Sequence, residues 1–307
     1  MSQVSRIPTF DILGFGATAV DDLLYVDGFP EPDGKVRVQR RLRQCGGLTG
    51  TALVAASRLG ANCAYVGMLG DDDLSRIIKE NFVREGVDIA HVADSNEAMP
   101  GHSTIIVDER KKTRAVLSSL GGLMGADPNR PDPDLIRAAH VLLIDHHGLE
   151  GSIRAARIAR EASVAVVADF ERDPGPPFRE LLPLVDHLVI SERFALQLTG
   201  ETDTVVATQA LLDTQRDSVV VTCGAQGCWH TSRETSAKAT HSPAMRVAVV
   251  DTTGCGDVFH GAYAASLARG DSLSRRIQTA SIAAALKATQ PGGQSGCPTM
   301  EQVEAFC

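Results

Sequence analysis

Near its C-terminus the chain carries the stretch Asp251-Thr252-Thr253-Gly254-Cys255-Gly256-Asp257. The apolar run 247–250 before it predicts a strand, and the small apolar residues 258–268 after it predict a buried helix. The two glycines have no side chain to keep a ligand from the backbone, so amides at the helix start can converge on an anion. Asp257, in the first turn, is placed to take a proton from a hydroxyl group that attacks a phosphoryl group. The alternative is a glycine-rich turn in which Asp257 only caps the helix.

The composition is typical of a soluble globular enzyme: 307 residues, 43% hydrophobic and 22% charged, enough for one large α/β domain. The net charge is −8 and no basic stripe is present, which disfavours nucleic-acid binding. The seven cysteines lack metal or disulfide spacing, which favours the reducing cytoplasm. Since no apolar run reaches ~18 residues, we expect no membrane association.

Strand and helix patterns alternate from residue 141 to residue 222, which predicts a parallel sheet with helices on both faces. Segments that alternate polar and apolar residues, at about 24–45 and 102–119, predict a small separate sheet. We therefore interpret 1–307 as one α/β domain with a small β appendage.

Two further glycine motifs lie next to predicted elements, one after a strand and one before a helix. The run Gly14-Phe15-Gly16-Ala17-Thr18-Ala19 follows the first predicted strand and could seat a dinucleotide. However, Pro30 interrupts the chain before a Rossmann unit could be completed. Gly46-Gly47 opens a predicted helix at 48–59, and because no lysine follows, it is not a phosphate-binding Walker A loop. These glycines could instead let the backbone approach a small ligand.

Polar residues also follow two of the predicted strands. Asp21 could accept hydrogen bonds from the hydroxyls of a polyol, or be a solvated loop acid. His146 and His147 follow Asp145 at a strand end, where parallel sheets bind ligands, so His147 is a candidate sugar contact. A metal site is disfavoured, because we expect adjacent imidazoles to point in opposite directions and see no third ligand.

The motifs occur in a known order. The double glycine opens a helix that runs to Arg58-Leu59-Gly60; Val66-Gly67-x-x-Gly70-Asp71-Asp72, Thr222-x-Gly224-x-x-Gly227 and the 251–257 stretch follow. In this the chain resembles the ribokinase-like (PfkB) carbohydrate kinases over about residues 10–306, and most closely the ketohexokinase and sulfofructose kinase group. The resemblance implies a three-layer αβα sandwich with a mostly parallel central sheet and a small β lid.

The same resemblance implies an ATP-dependent sugar kinase with Asp257 as general base. The amides of Gly254, Cys255 and Gly256 would form the anion hole, and Mg²⁺ would bridge phosphate oxygens, mostly through waters. The implied substrate contacts are Asp21, Lys35, Gly46, Gly47 and Thr51; the implied nucleotide contacts are Thr222, Gly224, Gly227, Ala284 and Lys287; and the implied monovalent-cation (K⁺) positions are Asp251, Thr253 and Gly292. A homodimer through the lid is also implied.

The chain departs from the family pattern at several positions. Where relatives carry Asn to bind the sugar, it has Leu48 and Thr51, and Ser191 and Phe194 replace the family's Asn-x-x-Glu, whose acid is lost or displaced to Glu192. Two alternatives therefore stay open: a nucleoside kinase of the same fold, and a sugar-binding sensor with weak catalysis. Phe29 is the only aromatic residue between 26 and 44, which favours a bare sugar over a nucleoside.

Overall fold

The computed structural model describes residues 10–111, 113–235 and 238–306. Its strands are β1 (Phe10–Phe15), β2 (Ala19–Val26), β3 (Val38–Gly46), β4 (Cys63–Tyr65), β5 (Met68–Leu69), β6 (Ala93–Asp94), β7 (Gly101–Asp108), β8 (Thr113–Ser119), β9 (Ala139–Asp145), β10 (Ala165–Phe170), β11 (His187–Ser191), β12 (Ser218–Thr222), β13 (Cys228–Ser232) and β14 (Thr240–Ser242).

The α-helices are α1 (Leu48–Arg58), α2 (Asp73–Arg84), α3 (Pro133–Arg137), α4 (Leu149–Glu161), α5 (Phe178–Leu181), α6 (Glu192–Thr199), α7 (Thr204–Ala210), α8 (Cys255–Ala268), α9 (Leu273–Ala288) and α10 (Met300–Glu304). Within the described ranges, none of these helices combines the length and the apolarity that crossing a bilayer requires.

The main sheet has eight strands in the order β14-β13-β12-β11-β10-β9-β1-β4. The six strands from β12 to β4 are parallel, and β13 and β14 form an antiparallel edge. Runs such as Val219–Val221 are buried on both faces, as strands of a covered parallel sheet must be.

Helices cover both faces of this sheet. On one face α1, α2, α8 and α9 pack against side chains such as Ile12 and Val167. On the other face α4 to α7 pack against the alternate side chains, such as Leu13 and Val166. This is the three-layer α/β sandwich that the resemblance implied, and the prediction of the fold is confirmed.

Four strands form a second sheet, β3-β2-β7-β8, which we call the lid sheet. Strands β2 and β7 are parallel, and the other two pairs are antiparallel. The sheet begins at Ala19 rather than near residue 24, so Asp21 lies within a strand and not in a loop. Residues 38–43 of β3 are all exposed, so this part of the strand extends beyond the body of the protein.

One local prediction was wrong. Residues 247–250 form no strand: Val249 and Val250 are each 62% exposed, and the amide of Val250 donates to the Ala288 carbonyl (2.8 Å). Their apolar side chains mimicked a buried strand. After Gly14 and Gly16 the chain continues into β2 instead of a helix, which excludes the dinucleotide motif. A Cβ at Gly16 would lie 2.2 Å from a carboxylate oxygen of Asp145, so that glycine is needed for packing.

Candidate active site

The candidate residues converge at the carboxyl ends of β1 and β9, where the strand order of the main sheet reverses direction. From β1 the chain passes through α1 to β4 on one side, and from β9 it passes through α4 to β10 on the other. Such a switch point leaves a crevice between the flanking loops, and α/β proteins bind ligands there. The starts of α1 and α8 border the same region, because a Cβ at Gly254, the N-cap of α8, would lie 3.4 Å from the methyl of Thr51 in α1.

Gly46 and Gly47 connect the lid sheet to α1. Gly47 has φ +87°, and a Cβ there would lie 2.6 Å from the Ala17 carbonyl oxygen, so no other residue fits without strain. A Cβ at Gly46 would lie 2.9 Å from Oδ2 of Asp21, so the Asp21 carboxylate faces this backbone. Burial raises the pKa of Asp21, and its hydrogen bond with Ser103 opposes the rise. The structure therefore brings Asp21, Gly46 and Gly47 together.

Asp145, at the end of β9, holds the neighbouring loops in place. It is fully buried, and its Oδ2 accepts hydrogen bonds from the Ala17 amide (2.7 Å) and the Thr49 hydroxyl (2.9 Å). Its Oδ1 accepts from the His147 amide (2.8 Å) and lies 3.0 Å from His147 Nδ1. Although burial opposes ionisation, the contacts with His147 keep the pKa of Asp145 below its usual value. Asp145 had no predicted role, although a polar residue at the end of a parallel strand is a signal for one.

Adjacent imidazoles were predicted to point in opposite directions, but the two histidine rings after Asp145 lie side by side. Their ring centroids are 4.3 Å apart and the planes are tilted by 34°. Burial lowers the pKa of His146 to about 4, and its Nδ1 has no hydrogen-bond partner among the described residues. Because Asp145 fixes Nδ1 of His147, only Nε2 of that ring is left for a ligand.

The turn before α8 has the geometry of an anion cradle. Gly254 has φ +76° at the helix N-cap, and a Cβ there would lie 3.3 Å from Gly293 Cα and 3.4 Å from the Thr51 methyl. The Cys255 amide also makes a 3.2 Å contact with the Thr252 carbonyl within the turn. Amides in the first turn of a helix have no intrahelical partner, so those of Gly256 and Asp257 can face an anion.

Asp257 is half-buried in the first turn of α8, beside other carboxylates. Burial raises its pKa well above 3.8, and the negative charge of Asp169 raises it further; His260, when protonated, opposes the rise. Asp169 is the penultimate residue of β10, and burial raises its pKa in the same direction. A carboxylate with a raised pKa is a stronger proton acceptor once ionised, which suits a general base. Neither Asp169 nor His260 was singled out from the sequence.

The candidate nucleotide residues lie further along the same edge of the main sheet. Thr222 ends β12. Gly224 (φ +56°) begins a short 3-10 turn before β13, and Gly227 (φ +95°) follows that turn. A Cβ at Gly227 would lie 2.0 Å from the Ser242 carbonyl, so this glycine permits close strand packing. Ala284 is half-buried on α9.

The residues that replace the family's Asn-x-x-Glu have structural roles. Ser191 is the N-cap of α6 and accepts a hydrogen bond from the Phe194 amide (3.3 Å). Phe194 is 1% exposed and packs near Phe178. Glu192 accepts a hydrogen bond from the Thr204 hydroxyl. The acid of this motif is therefore engaged at the start of α7.

The implied monovalent-cation residues also cluster. Oδ1 of Asp251 accepts from the Thr253 amide and Oδ2 from the Gly292 amide, both at 2.9 Å. The ammonium of Lys287 donates to the Asp251 carbonyl (2.8 Å), and Arg114 of the lid sheet donates to the Thr253 hydroxyl (2.7 Å). The contact between this arginine of β8 and the turn was not predicted from the sequence.

The structure does not bring Lys35 to the other candidates. It is exposed in the loop before β3, whereas Gly46 is the last residue of that strand. At about 3.3 Å per residue, the length of β3 alone separates the two by roughly 25 Å.

Over residues 10–111, 113–235 and 238–306, no group of three or more His, Cys, Asp or Glu side chains is arranged to hold a metal ion.

Comparisons with known proteins agree with this geometry. The family model described as "pfkB family carbohydrate kinase" matches residues 10–300. Ribokinase of Haemophilus influenzae is 29% identical over 301 residues, covering 95% of this chain and 96% of that protein. Aminoimidazole riboside kinase of Salmonella typhimurium is 28% identical, covering 85% and 87%. The structure of a putative ribokinase from Agrobacterium tumefaciens superposes with a TM-score of 0.87 at 29% identity, covering 97% of each chain.

The predicted family is therefore confirmed, while the narrower grouping with ketohexokinase and sulfofructose kinase stays a prediction. The match spans both sheets and every candidate residue from Asp21 to Lys287. The chain belongs to the pfkB family of carbohydrate kinases.

Proposed function

We propose that this protein transfers the γ-phosphoryl group of ATP to a hydroxyl of a small sugar, with Asp257 as general base. The observation that carries the proposal is the position of Asp257. Its carboxylate lies in the first turn of α8, beside the Gly254 turn, and burial raises its pKa. The sugar would lie between this carboxylate and the polar residues at the start of α1.

The chain's own groups account for the chemistry. Asp257 takes the proton of the sugar hydroxyl while that oxygen forms a bond to the γ-phosphorus. The bond between the γ-phosphorus and the β,γ-bridging oxygen breaks, and ADP leaves with that electron pair. Amides at the start of α8, above all that of Gly256, stabilise the charge of the transferring group. The proton passes from Asp257 to solvent.

Bound Mg²⁺ would supply positive charge that offsets the negative charge of the phosphates. The buried Oδ2 of Asp169 has no hydrogen-bond partner among the described residues, although it lies 3.2 Å from Nδ1 of His260. This oxygen, at the end of β10, is the protein group that best fits a water of a hydrated Mg²⁺.

Substrate contacts are proposed for Asp21, Gly46, Gly47, Thr51 and His147, which the structure brings to one end of the sheet. Asp21 would accept hydrogen bonds from two hydroxyls, and Nε2 of His147 would reach a third. Nucleotide contacts are proposed for Thr222, Gly224, Gly227 and Ala284.

A panel of ketoses, aldoses, polyols, sugar phosphates and nucleosides, assayed for acceptor-dependent ADP release, tests the proposed sugar kinase activity. ADP release with nucleosides but not with free sugars would favour the nucleoside kinase. Binding without ADP release would favour the sensor.

The lid sheet supports the proposal of a homodimer. Strand β3 is exposed over residues 38–43, and on β8 Val116 and Leu117 are 55% and 56% exposed. Pairing of two such sheets would cover these side chains and the strand edges. Light scattering coupled to size-exclusion chromatography measures the oligomeric state directly.

The cytoplasm stays the proposed location, since the six cysteines among the described residues are free thiols.

A further inference from the structure

Lys287 lies in the last turn of α9, and its side chain has no exposed surface. Its ammonium donates to the carbonyl of Asp251 (2.8 Å) and makes a longer contact with that of Gln290 (3.5 Å). Burial lowers the pKa of this ammonium, and the negative charge of Asp251 opposes the effect. A buried ammonium needs such partners, because an unpaired charge in the interior is costly.

The two carbonyls belong to the segments that border the anion cradle. Asp251 begins the turn before α8, and Gln290 precedes the loop that contains Gly293. Gly293 in turn lies against Gly254, since a Cβ at Gly254 would be 3.3 Å from its Cα. The position of the cradle therefore depends on how firmly these two segments are joined.

A bound monovalent cation would need the oxygens of this cluster. Both carboxylate oxygens of Asp251 already accept backbone hydrogen bonds, from Thr253 and Gly292, and its carbonyl is taken by Lys287. Arg114 adds a second positive charge, 3.8 Å from Oδ1 of Asp251. Two cations of the protein thus neutralise the carboxylate that a monovalent ion would need, so the residues present do not fit that ion.

We propose that the Lys287 ammonium takes the place of a monovalent cation in this protein, so that the cradle is held together without K⁺. This assigns Lys287 to the support of the cradle rather than to the nucleotide. It rests on the proposed function only for its kinetic consequence, since the structural consequence can be measured without turnover.

The test compares thermal unfolding midpoints in KCl and in choline chloride at equal ionic strength. We expect the wild-type midpoint to be the same in both salts. Lys287→Met keeps the aliphatic volume but leaves two carbonyls without their donor, so its midpoint in choline chloride should fall by several degrees. KCl or NH4Cl should restore part of that loss. Lys79→Met is the matched control, because Lys79 also joins a carbonyl (Gly70, 3.0 Å) and a carboxylate (Asp94, 2.8 Å), away from the cradle.

Either of two results would overturn the proposal. One is a saturable rise of the wild-type midpoint with KCl that choline chloride does not give. The other is a Lys287→Met protein whose midpoint does not respond to KCl or NH4Cl. If that variant does not fold, the wild-type comparison still decides. In assays, wild-type turnover should be equal in the two salts. A protein with no kinase activity and a salt-independent midpoint would contradict the proposed function but not this inference.

Discussion

Nδ1 of His260 lies 3.2 Å from Oδ2 of Asp169, which places the histidine of α8 against the carboxyl end of strand β10. The same nitrogen is 2.8 Å from the Gly256 carbonyl, and Nε2 is 2.8 Å from the Val189 carbonyl, so the ring is held on both edges. Asp169 raises the pKa of Asp257, whereas a protonated His260 lowers it. The two residues therefore act on the candidate base in opposite directions.

Asp257→Asn should reduce turnover at saturating sugar by roughly 10²–10⁴-fold, because the amide keeps the shape but cannot take the proton. It should also raise the thermal midpoint near pH 7, because the native pKa of Asp257 is above its unfolded value of 3.8 and ionisation of this half-buried group disfavours the fold. This gain should shrink as pH falls through the raised native pKa. Glu301→Gln, in the first turn of α10, is the control. Wild-type turnover in Asp257→Asn would refute the assignment.

Asp169→Asn should move the acid limb of the pH profile of kcat/KM to lower pH. Removal of a neighbouring negative charge makes the Asp257 carboxylate easier to ionise, so the base stays active in more acidic solution. The profile is measured from pH 5 to pH 9 with Mg²⁺ at saturation, so that loss of metal affinity does not distort the limb. An unchanged limb would show that Asp169 does not control the base.

His260→Gln should move the same limb to higher pH. Glutamine can replace one of the ring's two carbonyl contacts but cannot carry the positive charge that lowers the pKa of Asp257. Asp169→Asn and His260→Gln serve as controls for each other, since both variants change a neighbour of Asp257 and leave the Asp257 carboxylate itself intact. Shifts in the same direction would mean that repacking, and not charge, moves the limb.

Much of the fold could be predicted from the sequence, because it depends on local patterns of residues. The alternation of strands and helices from 141 to 222 predicted the parallel sheet, and the glycines at 46–47 and 254–256 marked the starts of α1 and α8. The roles of residues whose partners are distant in the sequence could not be predicted in this way. Asp169 and Arg114 meet the 251–257 turn from other elements, and His260 of α8 contacts Asp169 of β10 and Val189 of β11. No periodicity records such contacts. The exposed run at 247–250 misled because a pattern of apolar residues does not show whether they are covered.

Arg114→Ala should weaken the link between the lid sheet and the turn before α8. Arg114 donates to the Thr253 hydroxyl (2.7 Å), and its partner is one of the residues beside the cradle. Because this contact joins the lid sheet to a segment beside the proposed sugar site, its loss should raise KM for the sugar more than it lowers kcat. Arg40→Ala is the control, since Arg40 is an exposed lid arginine near Glu109 (4.0 Å). Equal effects of the two variants would mean that only the charge of the lid matters.

Acid should destabilise the protein between about pH 6.5 and 4 through its buried histidines. His187 lies 2.8 Å from the Ser218 hydroxyl and 3.2 Å from that of Tyr263, and burial lowers its pKa from 6.5 to about 4. Over this window the unfolded chain binds a proton that the native ring does not, so stability is fully present above pH 6.5 and is lost as pH falls. His187→Gln should show a smaller drop in urea-unfolding free energy between pH 7 and pH 5 than wild type does. His140→Gln, at an exposed ring near Asp11 (3.3 Å), should keep the wild-type drop. If His187→Gln lost as much stability as wild type over that range, burial of this imidazole would not be the source of the acid sensitivity.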